Sequence, residues 1–353
     1  MTLDTLVGLA ELAELFGMSK QTVSNWRSRQ DFPEPVAQLR SGPIWQLAAV
    51  EKWAQANGLK LRGRPAEASD TQVAKPAKVV ALINMKGGVG KSTLTANLGW
   101  YCAYRAEKKV LMIDLDPQFN LSQYVLGNSA YEKHIADRKP TIVDLFERPG
   151  SGGTRPQNSA DLKKTIAHVR DWDDGSRIDL VPSSLELAWT LKNPHQKEHL
   201  LRDFIDEIRA NYDLILIDAA PTESVLTQAA YFAAEYLLIP VKPEFLAAIG
   251  LPLLARSLKD FEDRYKNEPI PRIAGVVFND SADSAEHYRS RAYVKKLAKQ
   301  QNWYVFKNEI SHSNSYAAGA RTGKPIFLTD YARSWKVSEF NSVADEFIER
   351  VAI

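Results

Sequence analysis

The chain has 353 residues, 44% hydrophobic and 25% charged, with a net charge of +2, which is room for two well-cored domains and excludes wholesale disorder. Its single cysteine, Cys102, excludes an internal disulfide framework and a cysteine-paired zinc site, and points to a reducing compartment. No run approaches the roughly 18 apolar residues of a membrane span, and no basic stretch near Met1 leads into an apolar one, so a cytosolic protein with no membrane partner is expected.

Residues 1–58 read as a small helical domain. LAELAELF predicts a helix, Gly17-Met18-Ser19 a tight turn, and Lys20 to Arg29 a second helix with Ser19 as its N-cap. Ala13 and Gly17 stand four apart, a small-residue spacing that lets two helices cross closely. Val23 and Trp26 then face inward, leaving Lys20, Gln21, Ser24, Asn25 and Ser28 on the open face. Amides and a lysine so placed suit base edges and phosphates in a major groove. LRSGPIWQ predicts a short hairpin with Arg40 near its tip, and Ala48 to Asn57 a third helix ended by Gly58. The unit resembles the small winged helix-turn-helix of MerR-like and excisionase-like proteins, which implies operator binding through these residues. Similar helix pairs also serve as protein-docking modules or structural caps.

Residues 59–77, with two prolines, a glycine and little apolar pattern, read as a linker. From Lys78 the apolar runs VVALIN, VLMID, IDLVP, LILID, YLLIPV and IAGVVF alternate with helical stretches. Such runs belong to buried parallel strands, so residues 78–353 are expected to form a doubly wound α/β sheet. Residues 150–159 read as an exposed loop or insertion.

The strongest local signal is Lys86-Gly87-Gly88-Val89-Gly90-Lys91-Ser92-Thr93, between VVALI and the helical pattern LTANLGWYCAY. Strand, glycine-rich loop and helix in this order make a phosphate-binding loop, in which backbone N–H groups and a helix N-terminus cradle phosphate oxygens. Lys91 is placed to reach the β and γ phosphates, and Ser92 to ligate Mg2+. The common G-x-x-x-x-G-K-[ST] pattern would need glycine at 85; the chain has Met85 there and the extra Lys86. Asp114 and Asp116 follow VLMI, and Asp218 ends LILID. Ligands bind beyond the carboxyl ends of parallel strands, so these acids are expected beside the loop, Asp114 and Asp218 as metal candidates.

KGGVGKST, LIDLDPQ and LILIDAAP in this order resemble the ParA/MinD group of deviant Walker-A ATPases, most closely the ParA-type partition ATPases, over residues 78–351. The resemblance implies ATP and Mg2+ as cofactors, an ATP-dependent sandwich homodimer, nonspecific DNA binding, and a ParB-like centromere-binding partner that stimulates hydrolysis. It implies that Lys86 crosses to the partner's phosphates, that Lys91 is the Walker lysine, and that Asp116 orients the attacking water. Asp218 would be the Walker-B acid and Asn279 would read adenine. Gly-Lys-Pro-Ile at 323–326 also resembles a late motif of the group. Phe119, where the group has glycine, and Ser311, where it has proline, depart from the pattern.

Arg289, Arg291, Lys295, Lys296 and Lys299 form a basic run without an acid, with Arg291, Lys295 and Lys299 at helical i, i+4, i+8 spacing. They are the expected nonspecific DNA contacts. His195 and His199, four apart, read as residues of a surface helix rather than a metal pair. Val343, Phe347 and Val351 read as core positions of a final helix whose acids would be repelled by an anionic bilayer. Together these features predict a nucleoid-associated partition ATPase that also represses its own operon. The rivals are a nucleotide-switched transcription regulator and an ATPase that positions a protein assembly.

Overall fold

The structure, a computed structural model, describes residues 6–8, 12, 16, 23, 26, 32–39, 42–56, 76–147, 163–244, 247–330 and 332–353. The chain divides into two compact units, Met1–Val73 and Ala74–Ile353.

In the first unit, β1 (Leu6–Gly8) and β2 (Ala37–Leu39) flank β3 (Gly42–Gln46), both antiparallel to it. Helix α1 (Leu47–Ala56) follows directly. The pairing of β2 with β3 is the expected hairpin; β1, three residues long, gives no periodic signal. Val23 and Trp26 are buried, as their spacing predicts, among Leu12, Phe16, Phe32, Trp45 and Trp53. Trp26 meets Phe16 edge-on at 5.2 Å and Trp53 at 5.2 Å, an aromatic core dense enough for so small a unit. The proposed DNA-reading residues Lys20, Gln21, Ser24, Asn25, Ser28 and Arg40 lie outside the described residues, as do most of the linker and all of 150–159.

The second unit is built on a seven-stranded sheet, in the order β10-β9-β4-β8-β5-β7-β6. Its strands are β4 (Lys78–Leu82), β5 (Lys109–Leu115), β6 (Ala167–Asp171), β7 (Arg177–Val181), β8 (Leu214–Ala219), β9 (Tyr236–Val241) and β10 (Arg272–Phe278). All neighbours pair in parallel except β6, which runs antiparallel to β7 at the edge. Residues alternate between two cores along each strand: Val79, Ala81 and Ile83 enter one, Val80 and Leu82 the other. The first core takes α6 (Leu200–Ile208), α7 (Val225–Ala233), α8 (Ala247–Arg264) and α9 (Ala285–Gln300). The second takes α2 (Lys91–Tyr104), α3 (Asn120–Leu126) and α11 (Ser334–Val351). Short helices α4 (Asn128–Ala136) and α5 (Val143–Phe146) follow α3, and α10 (Asn314–Thr322) precedes α11. This is the doubly wound parallel sheet the sequence predicts, with one strand added: AHVRD is too polar to read as a core strand, and at the edge it needs no apolar pair of faces.

Val343, Phe347 and Val351 are fully buried in α11, as expected. His195 and His199 are corrected: residues 190–199 form turns, so the two are not on a helix. His199 sits just before α6 with its ring 4.2 Å from Phe232.

Candidate nucleotide site

The parallel register sets Asp114 level with Asp218 and Leu82 level with Asp218, so β4, β5 and β8 end together. The loop after β4 turns into α2 through Gly88 and Gly90, both left-handed with φ of +73° and +84°. A Cβ at Gly90 would collide with Asn279 Nδ2, so both backbone conformation and space demand glycine there. Asn279 donates to the Val89 carbonyl at 2.8 Å, tying the loop to the end of β10. Asn84 fixes the other side: its Nδ2 donates to the Pro240 carbonyl at 2.8 Å and its Oδ1 accepts the Lys86 N–H at 2.9 Å. Helix α8 approaches closely here, since a Cβ at Gly250 would lie 2.8 Å from Asn84 Oδ1 and 3.4 Å from Lys86 Cβ.

A cleft of about 430 Å3 opens over this loop, lined by Gly87, Gly88, Gly90, Lys91, Ser92 and Thr93, with Asp116 and Arg321 among its further walls. Lys91 is buried, its Nζ 3.5 Å from the Asn84 carbonyl. Burial lowers its pKa, while the nearby Asp218 and Asp116 carboxylates hold it up. Asp218 is fully buried, and neither oxygen has a close hydrogen-bond partner among the described residues, the Ser92 hydroxyl being its nearest influence of that kind. Burial pushes its carboxyl up to about 7, against the pull of the Ser92 hydroxyl and the Lys91 ammonium. A buried carboxylate with free lone pairs beside a serine hydroxyl and a phosphate cradle fits Mg2+, which takes one or two protein oxygens and completes its shell with phosphate and water.

Asp114, the other metal candidate, is engaged in hydrogen bonds within its own loop. Its Oδ2 accepts from the Ser122 N–H at 2.8 Å and the Ser122 hydroxyl at 2.6 Å, and its Oδ1 from the Asp116 N–H at 3.2 Å. Burial and the Asp218 charge raise its pKa. It shapes the loop that presents Asp116. The same loop is braced by Ser183, whose hydroxyl donates to the Asp116 carbonyl at 2.8 Å and whose N–H donates to Ser122 Oγ at 2.8 Å. Asp116 itself reaches the cleft, with Oδ1 accepting from the Gln118 N–H at 2.9 Å. Phe119 adopts a left-handed φ of +47° and stacks on Tyr131 at 5.2 Å, so aromatic packing holds a turn that glycine would enter freely.

Lys86 pairs with Glu244 at 3.1 Å; Glu244 also takes Lys242 at 2.7 Å, and Lys242 takes Asp280 at 2.9 Å. No sequence signal joins Lys86 to Glu244. On α9, Arg289, Lys295, Lys296 and Lys299 are exposed, as expected. Arg291 is not free: both arms of its guanidinium hold Glu309, at 2.9 and 2.8 Å, and its side chain is 15% exposed. The helix turns so that Ser290, Val294 and Ala298 face the core, which draws Arg291 to the buried flank.

Residues 77–270 match the AAA domain family, and residues 9–39 match the bacteriophage CI repressor helix-turn-helix domain. The chromosome-partitioning ATPase Soj of Treponema pallidum is 34% identical over 281 residues, covering 77% of this chain and 98% of that protein. The chromosome partitioning protein ParA of Caulobacter vibrioides is 30% identical over 269 residues, covering 73% and 89%. A plasmid partition protein from Borrelia burgdorferi, solved bound to AMPPNP, superposes with a TM-score of 0.58 at 22% identity, covering 78% and 100%; that likeness concerns the fold.

Proposed function

Because the chain belongs to the ParA/Soj family of partition ATPases, we propose that it segregates DNA by cycling between an ATP-bound dimer on nonspecific DNA and a released form. The observation that carries this reading is the pairing of two lysines with one phosphate loop: Lys91 buried at its base and Lys86 at its rim. Lys91 binds the β and γ phosphates, and the loop N–H groups and the α2 N-terminus hold the remaining charge. Ser92 and Asp218 would hold Mg2+, which when bound neutralises developing charge on the phosphates. Asp116 orients the attacking water, its carboxylate fixed by the Gln118 N–H and its backbone by Ser183. Lys86, freed from Glu244, reaches the γ-phosphate of a second subunit. Asn279, now on Val89, reads adenine when the nucleotide enters.

Arg289, Lys295, Lys296 and Lys299 would grip DNA phosphates, and a ParB-like partner would stimulate hydrolysis and release. The match of residues 9–39 to a repressor helix-turn-helix supports operator binding and autorepression over protein docking. Such a protein would work in the cytoplasm on the nucleoid; no described helix is long and apolar enough to cross a membrane. The test is ATP turnover with and without DNA and the product of the adjacent gene. Stimulation by both is expected, whereas ATP-dependent operator binding with no stimulated turnover would favour a transcription regulator.

A further inference from the structure

A second cleft, also of about 430 Å3, lies behind the nucleotide cleft, between α2, α3, edge strand β6 and the segment after α10. The two clefts share their dividing wall. Gln123 and Tyr124 of α3 line the nucleotide side, while Val125 and Leu126 line the other.

Trp100 of α2 lines this second cleft; it is 5% exposed, and its indole N–H is buried with no acceptor among the described residues. A buried donor without a partner marks a place where an acceptor is missing. Arg170 lies over it, its Cζ 5.9 Å from the Trp100 ring and 5.6 Å from Trp172. Arg170 is exposed and makes no ion pair among the described residues. Lys324 is a second cation on the cleft wall, 48% exposed, and it pairs with the exposed Asp330 at 3.7 Å. The acids nearby are engaged: Asp179 is shared by His168, Arg177 and Tyr212, and Asp171 lies 3.5 Å from His168. An orphan N–H and the unpaired Arg170 guanidinium between aliphatic walls call for a carboxylate carried on an apolar backbone.

We propose that this cleft docks an acidic, extended peptide segment of a partner protein, its carboxylate received by the Trp100 indole N–H and the Arg170 guanidinium. Strand β6 pairs only with β7 among the described strands, so its outer edge offers backbone groups to an added strand. Single-stranded nucleic acid fits less well, because bases stack on open aromatic faces and Trp100 has none to offer. A hydrogen-bonded line joins the cleft to the phosphate loop. The Tyr124 hydroxyl donates to the Lys324 carbonyl at 3.2 Å and accepts from Asn97 Nδ2 at 2.9 Å, and Asn97 also donates to the Thr93 carbonyl at 2.8 Å. This site does not rest on the partition reading.

The test follows the Trp100 indole N–H resonance of the full chain, identified by its loss in Trp100→Phe. The probes are a blocked pentapeptide alternating glutamate with leucine and valine, its glutamine counterpart, and a single-stranded DNA oligonucleotide. The acidic peptide should shift the resonance saturably, and the glutamine peptide should bind about tenfold more weakly, the size of one lost charge-assisted hydrogen bond. Arg170→Gln, an exposed change that leaves the melting temperature in place, should weaken the acidic peptide by a similar factor. No shift, equal binding of the two peptides, indifference to Arg170→Gln, or a shift with DNA alone would overturn the proposal.

Discussion

Lys86 Nζ stands 3.1 Å from Glu244 Oε2, so the lysine expected to serve a neighbouring subunit is held by an acid of its own. The pair is partly exposed, 21% and 38%, and such pairs contribute ~0.2–1 kcal/mol. Removing the acid should therefore ease dimer formation modestly. Glu244→Gln is expected to strengthen ATP-dependent dimerisation roughly two- to fivefold per subunit, and Lys86→Ala to abolish it. Light scattering with ATP and with ADP measures both; equal dimerisation of Lys86→Ala and wild type would remove the trans role.

Hydrolysis should separate from binding at two residues. Lys91→Ala loses the cation that meets the β and γ phosphates, so ATP binding should vanish in calorimetry. Asp116→Ala should still bind ATP but turn over about a hundredfold more slowly or worse, the usual size of a lost proton-handling group. Equal turnover by this variant and wild type would end the assignment.

The pKa of Asp218 makes the nucleotide-free protein sensitive to pH. A carboxyl held up to about 7 in the folded state and near ~3.9 when unfolded keeps an extra proton in the fold between those values. Stability should then fall as pH rises from about 4 to about 7, with Asp114 contributing in the same direction. Asp218→Asn should flatten this fall and raise the melting temperature of the nucleotide-free protein by a few degrees near pH 8, while abolishing turnover. Thermal melts across pH check it; an unchanged slope would show that Asp218 is ionised throughout.

The basic helix should show an unequal division of labour. Lys295→Ala with Lys299→Ala should flatten the logarithmic salt dependence of random-DNA binding by roughly 2. Arg291→Ala should leave that slope alone and lower the melting temperature, because its guanidinium braces Glu309. If Arg291→Ala flattens the slope, the ion pair opens on DNA.

Operator recognition would lie in the other unit. Gln21→Ala with Asn25→Ala should cost about 1–3 kcal/mol per lost bidentate contact on upstream DNA and nothing on random DNA. Gel-shift titrations distinguish the two; unchanged affinity for both DNAs would make the first unit a docking module.

What the sequence disclosed depended on distance along the chain. The strands of the sheet interior are continuous apolar runs, and the phosphate loop is eight consecutive residues, so both were legible. Glu244 lies 158 residues from Lys86, and nothing local marks it as a partner. Arg291 matched the helical spacing of the basic face, but Glu309, beyond the end of α9, decides where its guanidinium goes. Asp114 ended an apolar run just as Asp218 does; only the fold shows that Ser122 and the Asp116 N–H engage the first, while the second faces the Ser92 hydroxyl and the Lys91 ammonium. Strand β6 was invisible because its run AHVRD is short and polar, and the second cleft because its lining comes from four separate segments of the chain.

The close approach of Gly250 to Asn84 and Lys86 gives α8 the geometry of a lever resting on its fulcrum. One end of that helix touches the loop that senses nucleotide, and its flank packs along the helix that carries Arg289, Lys295, Lys296 and Lys299. Under the proposed cycle, a displacement of Lys86 toward a second subunit would press on α8 just ahead of Pro252, where the missing backbone N–H lets the helix bend before the push reaches the proposed DNA-binding face. The absence of a single methyl group at position 250 lets the helix sit close enough to feel that displacement.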